Sequence, residues 1–337
     1  MLKAALIGFG GIAKAHRKAF LKLEDLGIAK LVCAYDIEPK AFSKKISINI
    51  DSEAVDAEEH INFYTDLDEM VAKEEFDFVD ICVPSFMHCK LTVEMLRRGY
   101  HVMCEKPMAL NYADCEEMIR AAEESGKELM IGQCLRFYPV FNYIKEAIEE
   151  NRFGKVTGAF FSRLSAPPIW GWENWFMSPE RSGGCITDLH VHDIDIIRFL
   201  FGEPEAVSCR AESSISVHDT VHTSLIYGGT PITAVGDWTL TGVPFQAASR
   251  INFENATLIN TGMKLTVYPK DGAEPYEVPF ESISGQHAEL AYFCEVIEGK
   301  RENLKNPAIS AARTIKLVEH MRKSAADNGK IVPFSLT

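Results

Sequence analysis

The sequence is short of positive charge and of long apolar runs, and it lacks paired cysteines. Only 35 Lys plus Arg stand against 48 Asp plus Glu, a formal charge of -13. No basic run is longer than two residues, as at Lys44-Lys45 and Arg97-Arg98. Nucleic acid and anionic membrane surfaces both demand a net or local basic face, so neither is an expected partner. No segment approaches the ~18 consecutive apolar residues of a membrane helix. The opening MLKAALIGFGGIAKAH is too brief in its apolar run, and too rich in glycine, for a secretory signal. The nine cysteines are an odd number, scattered singly with no C-x-x-C pair. That pattern excludes a disulfide framework and a zinc ribbon. Neither an internal repeat nor a low-complexity tract is present. The expectation is a soluble, reduced, cytoplasmic chain.

What is there suggests two domains, because 337 residues are about twice a common domain length. The first part alternates strand and helix patterns. Leu2 to Phe9 is an apolar run ending in glycines, as in a strand buried on both faces. Further strands are expected at Lys30–Asp36, Phe76–Val83, Tyr100–Cys104 and Glu128–Cys134. Helices are expected at Gly11–Leu26, Met87–Arg98, Tyr112–Ser125 and Val140–Asn151. Such alternation predicts a parallel sheet with right-handed crossovers. Residues 47–60 are polar and break the pattern, which reads as an elaborated surface connection.

After Gly154 strands follow one another: Thr157–Ser165, Val221–Tyr227, Ile232–Leu240, Ala248–Phe253 and Lys264–Tyr268. Turns such as Gly228-Gly229 and Asn260 to Gly262 separate them, which predicts a largely antiparallel sheet. One helix interrupts the series at Cys185–Phe201, and two close the chain at Gln286–Glu298 and Ile309–Ala326. The fold class is therefore α/β, with two domains expected at residues 1–150 and 151–337. The C-terminal helices are expected to pack back on the first domain.

Gly8-Phe9-Gly10-Gly11-Ile12-Ala13 fits G-x-G-x-x-G/A between the first strand and the first helix. Gly8 permits the tight turn, Gly10 lets backbone approach a pyrophosphate, and Ala13 permits close helix packing. The helix N-terminus then offers free N–H groups and a positive dipole end to phosphate. Asp36 ends the second strand, where a carboxylate accepts hydrogen bonds from the adenosine ribose. Its bland alternative is to cap a helix beginning near Glu38. Ile37 follows, with no Arg to neutralise a 2′-phosphate, so NAD is expected rather than NADP.

Two further constellations carry chemistry. Glu105-Lys106-Pro107 ends a strand at the edge that faces the ligand crevice in open parallel sheets. Lys106 there is placed to hold a substrate oxygen, or else is a surface lysine at a strand end. Asp188, His192 and Asp195 fall at i, i+4 and i+7, on one face of a continuous helix, while His190 points elsewhere. Helical metal pairs need both histidines on one face, so no metal site is expected. His192 is either a stabilising partner of Asp188 or a general acid/base, since histidine titrates near ~6.5.

In this order the pieces resemble the glucose–fructose oxidoreductase/inositol dehydrogenase (Gfo/Idh/MocA) family over nearly the whole chain. Those pieces are Gly8 to Ala13, Pro84-Ser85 with His88, Glu105-Lys106-Pro107, Arg136 to Pro139, and the D-x-x-x-H-x-x-D segment after Gly183-Gly184. The resemblance implies an N-terminal Rossmann domain and a C-terminal α/β domain with a mostly antiparallel, open-faced sheet that carries a homodimer or homotetramer interface. It implies cofactor contacts from Gly8, Phe9, Gly10, Gly11, Ile12, Asp36, Ile37, Pro84, Ser85, His88, Glu105 and Lys106. It also implies catalysis by Lys106, Asp188 and His192, and a cis bond at Lys106–Pro107. Lys106, Arg136, Trp170, Asp188 and His192 are the expected substrate contacts. Leu135 departs from a commonly basic or polar position. Residues 166–177, with Trp170, Trp172 and Trp175, form a loop whose rings either stack on a sugar or pack internally.

The leading expectation is an NAD-dependent dehydrogenase of a secondary hydroxyl on a sugar, inositol or related polyol. A keto-sugar reductase is the alternative among enzymes. A non-catalytic NAD sensor has no chemical need for Lys106, Asp188 and His192 together, and the intact phosphate loop disfavours a pure interaction module.

Overall fold

The computed structural model describes residues 1–42, 61–281 and 283–336; the expected surface connection at 47–60 lies outside the described residues. Two compact units emerge. The first comprises Met1–Cys134, Trp170–Trp175 and Ser284–Ala312, and the second Leu135–Ile169, Phe176–Ile283 and Arg313–Thr337. The main division falls between Cys134 and Leu135, and Ser284–Ala312 belongs with the first unit.

The first unit is built on six strands: β1 (Leu2–Ile7), β2 (Ala29–Tyr35), β3 (Asn62–Tyr64), β4 (Phe78–Ile81), β5 (His101–Glu105) and β6 (Leu129–Gly132). Their order is β3-β2-β1-β4-β5-β6, and every pairing is parallel. Strand order reverses beside β1, so the ends of β1 and β4 flank the switch point where such sheets bind ligands. β3 was not legible in the sequence; two of its three residues are exposed at the sheet edge. Intervening helices are α1 (Gly11–Asp25), α2 (Leu67–Lys73), α3 (His88–Arg97) and α4 (Tyr112–Ser125). Local chemistry sets their ends. The side chains of Asp66 and Asn111 accept the Glu69 and Asp114 amides as N-caps, and Gly126 closes α4 at φ 65°.

The second unit starts from α5 (Pro139–Glu149) and β7 (Val156–Leu164). Three helices follow, α6 (Pro179–Ser182), α7 (Cys185–Asp188) and α8 (Val191–Phe201). Then come β8 (Ala206–Glu212), β9 (Thr220–Tyr227), β10 (Thr230–Asp237), β11 (Gln246–Phe253), β12 (Ala256–Thr261), β13 (Lys264–Pro269) and β14 (Tyr276–Glu277). With β15 (Val332–Pro333) they form nine strands in the order β14-β13-β12-β11-β7-β10-β9-β8-β15. All pairs are antiparallel except β7 with β10, which is parallel. α5, α7 and α8 pack together over this sheet, and α8 contacts β7. The registers align Thr233, Phe160, Arg250 and Ile259 in one row across β10, β7, β11 and β12. Phe160, Arg250 and Ile259 of that row are solvent-exposed, so one sheet face is open.

Two helices close the chain, α9 (Gly285–Ile297) and α10 (Ala308–Ala326). α9 packs on α1, and Phe293 of α9 meets Phe78 of β4 edge-on at 5.7 Å. Phe78 in turn touches Phe20 of α1 at 6.1 Å. All three rings are buried, and truncating any one to alanine is expected to cost about 3–5 kcal/mol. Among the described residues no helix is long and apolar enough to cross a membrane.

Candidate active site

At the end of β1 the chain turns through Gly8 at φ +90°, a conformation that strains any residue with a Cβ. A Cβ on Gly8 would also sit 2.7 Å from the Cys82 carbonyl oxygen. Gly10 caps α1, and a Cβ there would meet nothing within 4 Å. The space before Gly10 is thus free for a ligand, while that behind Gly8 is filled. Ala13 is wholly buried, as its expected packing role needs. No acidic residue occupies the first turn of α1, so its dipole end is unopposed. Phe9 is buried, with Phe42 and Phe63 rings 5.5 and 5.4 Å away. Ile37 is exposed.

Asp36 follows β2 directly. Its Oδ2 accepts the Phe9 amide at 2.7 Å and its Oδ1 accepts the Glu38 amide at 2.8 Å. It fastens the glycine loop to the strand end and shapes the next turn.

The Lys106–Pro107 peptide is cis. Around it the backbone is gripped from two sides. His88 Nδ1 lies 2.7 Å from the Pro107 carbonyl oxygen and Nε2 lies 2.9 Å from that of Val83. Burial holds the His88 pKa below its ordinary value, and a neutral ring donates to one of these carbonyls at a time. Both nitrogens therefore face backbone, and His88 braces the turn. Ser85 is buried and Pro84 half-buried in the segment after β4.

On the other side, the Glu105 Oε2 accepts the Lys106 amide at 2.9 Å, and Oε1 lies 2.9 Å from His16 Nε2. His16 Nδ1 lies 2.7 Å from Asp80 Oδ2. Burial alone would lower the His16 pKa, but the Asp80 carboxylate outweighs it and raises the value well above 6.5. His16 is an imidazolium that donates to both acids. Burial likewise pushes Glu105 up, yet the hydrogen bond and charge of His16, with the charge of Lys106, bring it below its ordinary value. The ligand atoms of His16, Asp80 and Cys82 lie within 4.8 Å of one another, as do those of His16, Glu105 and Glu289.

In the second unit Gly183 and Gly184 have φ of 72° and 75°, and a Cβ on Gly184 would clash with the Val217 carbonyl. α7 ends at Asp188 and α8 begins at Val191, so the expected continuous helix Cys185–Phe201 is broken at Leu189-His190. The amides of both these residues donate to the Cys185 carbonyl. The argument that Asp188, His192 and Asp195 share one face of a single helix therefore fails. Asp188 is buried, and His192 is half-buried in the first turn of α8. Asp195 is committed elsewhere: its two oxygens accept Arg136 Nε and Nη2, each at 2.7 Å. Thr314 also donates to it at 2.8 Å. Arg136 is 2 % exposed, so the expected substrate contact is in this structure a buried, bidentate ion pair. His190 is enclosed beside Gly236, with Nε2 at 3.0 Å from Thr223 Oγ1. In the tryptophan-rich loop Trp172 is exposed, and Glu173 and Asn174 take positive φ of 47° and 52°. Trp170 is half-buried.

Residues 2–133 match the model of an oxidoreductase family with an NAD-binding Rossmann fold, and residues 141–259 match the GFO/IDH/MocA C-terminal domain. The chain belongs to the GFO/IDH/MocA family. It is similar to the inositol 2-dehydrogenase of Rhizobium meliloti strain 1021, 30% identical over 65% of this chain and 61% of that protein. It is also similar to the 2,7-anhydro-N-acetylneuraminate hydratase of Escherichia coli K12, 29% identical over 62% of this chain and 52% of the relative. The chain spans about half the length of the curated relatives it matches, 52% and 38% in two hydratases. Among solved structures it resembles the WlbA dehydrogenase of Bordetella pertussis in complex with NADH and UDP-GlcNAcA. The TM-score is 0.82 at 23% identity, covering 100% of this chain and 99% of that one. At that identity the likeness is one of fold.

The first unit is thus the family's NAD-binding Rossmann fold, and its residues fit the cofactor. The positive-φ turn at Gly8, the open space before Gly10 and the acid after β2 supply what a dinucleotide needs. Sequence reasoning missed His16, Asp80 and Glu289 of this GFO/IDH/MocA chain. Asp80 did leave a signal, as the one acid within the apolar segment Phe78–Ile81, where a buried carboxylate must find a partner.

Proposed function

We propose that the chain oxidises a secondary hydroxyl of a sugar, inositol or related polyol, with NAD as the cofactor. Gly8 to Ile12 would hold the pyrophosphate and Asp36 the adenosine ribose. When bound, NAD supplies the acceptor for the hydride that leaves the carbinol carbon. The Lys106 ammonium would hold the substrate oxygen and stabilise the negative charge that builds on it, an interaction stronger in the transition state than in the ground state. His192 would take the hydroxyl proton as the carbonyl forms, and Asp188 would orient that imidazole or bind a neighbouring hydroxyl. Trp170 and the exposed Trp172 offer aromatic faces suited to a sugar ring. The observation that carries this reading is the turn at Lys106, whose backbone is gripped by Glu105 while His88 braces Pro107. A chain that only sensed NAD would have no chemical use for that bracing.

Following NADH at 340 nm against a panel of sugars and inositols tests the proposal. The expected result is absorbance growth with at least one polyol that disappears in Lys106→Met. No turnover in either direction, with oxidised or reduced substrates, would overturn it. Because two relatives are named hydratases, substrate loss is followed alongside; loss without NADH would replace the dehydrogenase reading by a redox-neutral one.

The open sheet face with Phe160 and Ile259 supports a homodimer or homotetramer as the assembly, since an exposed apolar patch favours association. A monomeric mass by light scattering at working concentration would refute this. Nine free thiols suit a reducing compartment, and a cytoplasmic location is proposed on that ground.

A further inference from the structure

We propose that His16 is a positioning residue for Lys106, acting through Glu105, and that it links the phosphate loop to the catalytic turn through one helix. The inference rests on the role proposed above for Lys106. α1 starts at Gly11, directly after the glycine loop, and His16 lies on its second turn with no exposed surface. From there it reaches two strands at once, Asp80 on β4 and Glu105 on β5. Glu105 has no choice of partners: one oxygen receives His16 and the other receives the Lys106 amide. Gly132 on β6 makes room for it, since a Cβ there would stand 3.2 Å from Glu105 Oε1.

The surroundings keep this linkage in one protonation state. The titratable groups around His16 are Asp80 and the following Cys82, Glu105 from β5 and Glu289 from α9. Burial pushes the Cys82 thiol up, so it stays neutral, and the same holds for Cys104 and Cys294, which approach Asp80. Glu289 is fully buried, and neither of its oxygens has a hydrogen-bond partner among the described residues. Burial first, then the charge of Glu105, raises its pKa well above 4.5. Burial therefore disfavours the Glu289 anion, and His16 is left to pair with Asp80 and Glu105. Removing the imidazolium frees the Glu105 carboxylate to turn, and with it the amide that aims Lys106.

The test uses His16→Gln and, in case that chain does not fold, Glu105→Gln, which keeps side-chain shape but cannot both accept from His16 and accept the Lys106 amide. Three readouts are taken on the full chain. The first needs no substrate: amide hydrogen exchange at Lys106 should accelerate at least about tenfold while β1 and β6 exchange as in the parent. Second, kcat should fall at least about tenfold, with KM and NAD affinity within about threefold. Third, combining either variant with Lys106→Met should be no slower than Lys106→Met alone, because both losses run through one ammonium. Unchanged Lys106 exchange, or losses that multiply in the double variant, would overturn the positioning role. A Lys106→Met chain with normal turnover would instead overturn the proposed function, leaving the exchange result to report on His16 independently.

Discussion

The Phe9 amide donates to the Asp36 carboxylate at 2.7 Å, so the glycine loop is anchored to the acid expected to read the cofactor's ribose. Removing that acid should do two things at once. Asp36→Ala is expected to weaken NAD at least about tenfold, by losing the loop anchor and a charge-assisted hydrogen bond. It should also narrow the preference for NAD over NADP, because the charge facing the 2′-phosphate is gone. Titration of both cofactors by tryptophan fluorescence checks this; a parent chain that binds NADP as tightly as NAD would refute the assignment.

Lys106→Met should depress kcat by at least about 10²-fold with smaller changes in NAD affinity. Lys106→Arg should not rescue it, since a planar fork cannot replace a compact ammonium in a tight site. Steady-state kinetics on the best polyol of the panel decide the matter, and near-parental turnover in either variant would remove Lys106 from the chemistry.

His192→Ala is expected to lower kcat by roughly 10²–10⁴-fold while leaving NAD affinity nearly intact. Turnover that survives within a few-fold would make His192 a structural residue of α8 and place the base elsewhere.

His190 makes a prediction about stability. Burial first, then the positive charge of Arg163, then that of His222, disfavour its cation and lower its pKa to about 3. The unfolded chain titrates this group near ~6.5. Between those values the folded state binds fewer protons, so the stability it confers is complete above pH ~6.5 and is lost as pH falls toward 3. The loss at the acid end is on the order of a few kcal/mol. Thermal midpoints between pH 4 and 7 should therefore fall more steeply in the parent than in His190→Gln; parallel curves would contradict the neutral, buried ring.

Gly10 and Gly236 separate ligand space from packing. A Cβ at Gly236 would stand 2.9 Å from His190 Cβ and Nδ1, whereas one at Gly10 meets nothing. Gly236→Ala should lower the melting temperature by several degrees, an overpacking cost of about 1–3 kcal/mol. Gly10→Ala should melt like the parent but bind NAD more weakly. Calorimetry with and without NAD distinguishes them, and weaker NAD binding confined to Gly236→Ala would reverse the reading.

Local pattern was enough for the elements of the first unit. Apolar runs mark β1, β2, β4, β5 and β6 to within a few residues, and α4 matches to the residue. G-x-G-x-x-A with an acid after the second strand marked the loop, because its glycines answer steric demands that act within a few residues. The trio Lys106, Asp188 and His192 was found from motif and resemblance, not from any local force.

By itself the sequence determined five of the six strands of the first unit and the tight turn at Gly8, since propensity, periodicity and sterics act over three to five residues. Only the tertiary structure decided which charges meet. His16 joins Glu105 across 89 positions, and Arg136 joins Asp195 across 59. The break at Leu189-His190 and the parallel pairing of β7 with β10 belong to the same class. Each depends on burial: a charge withdrawn from water must find its counterpart wherever the chain brings one. Sequence spacing carries no record of that search.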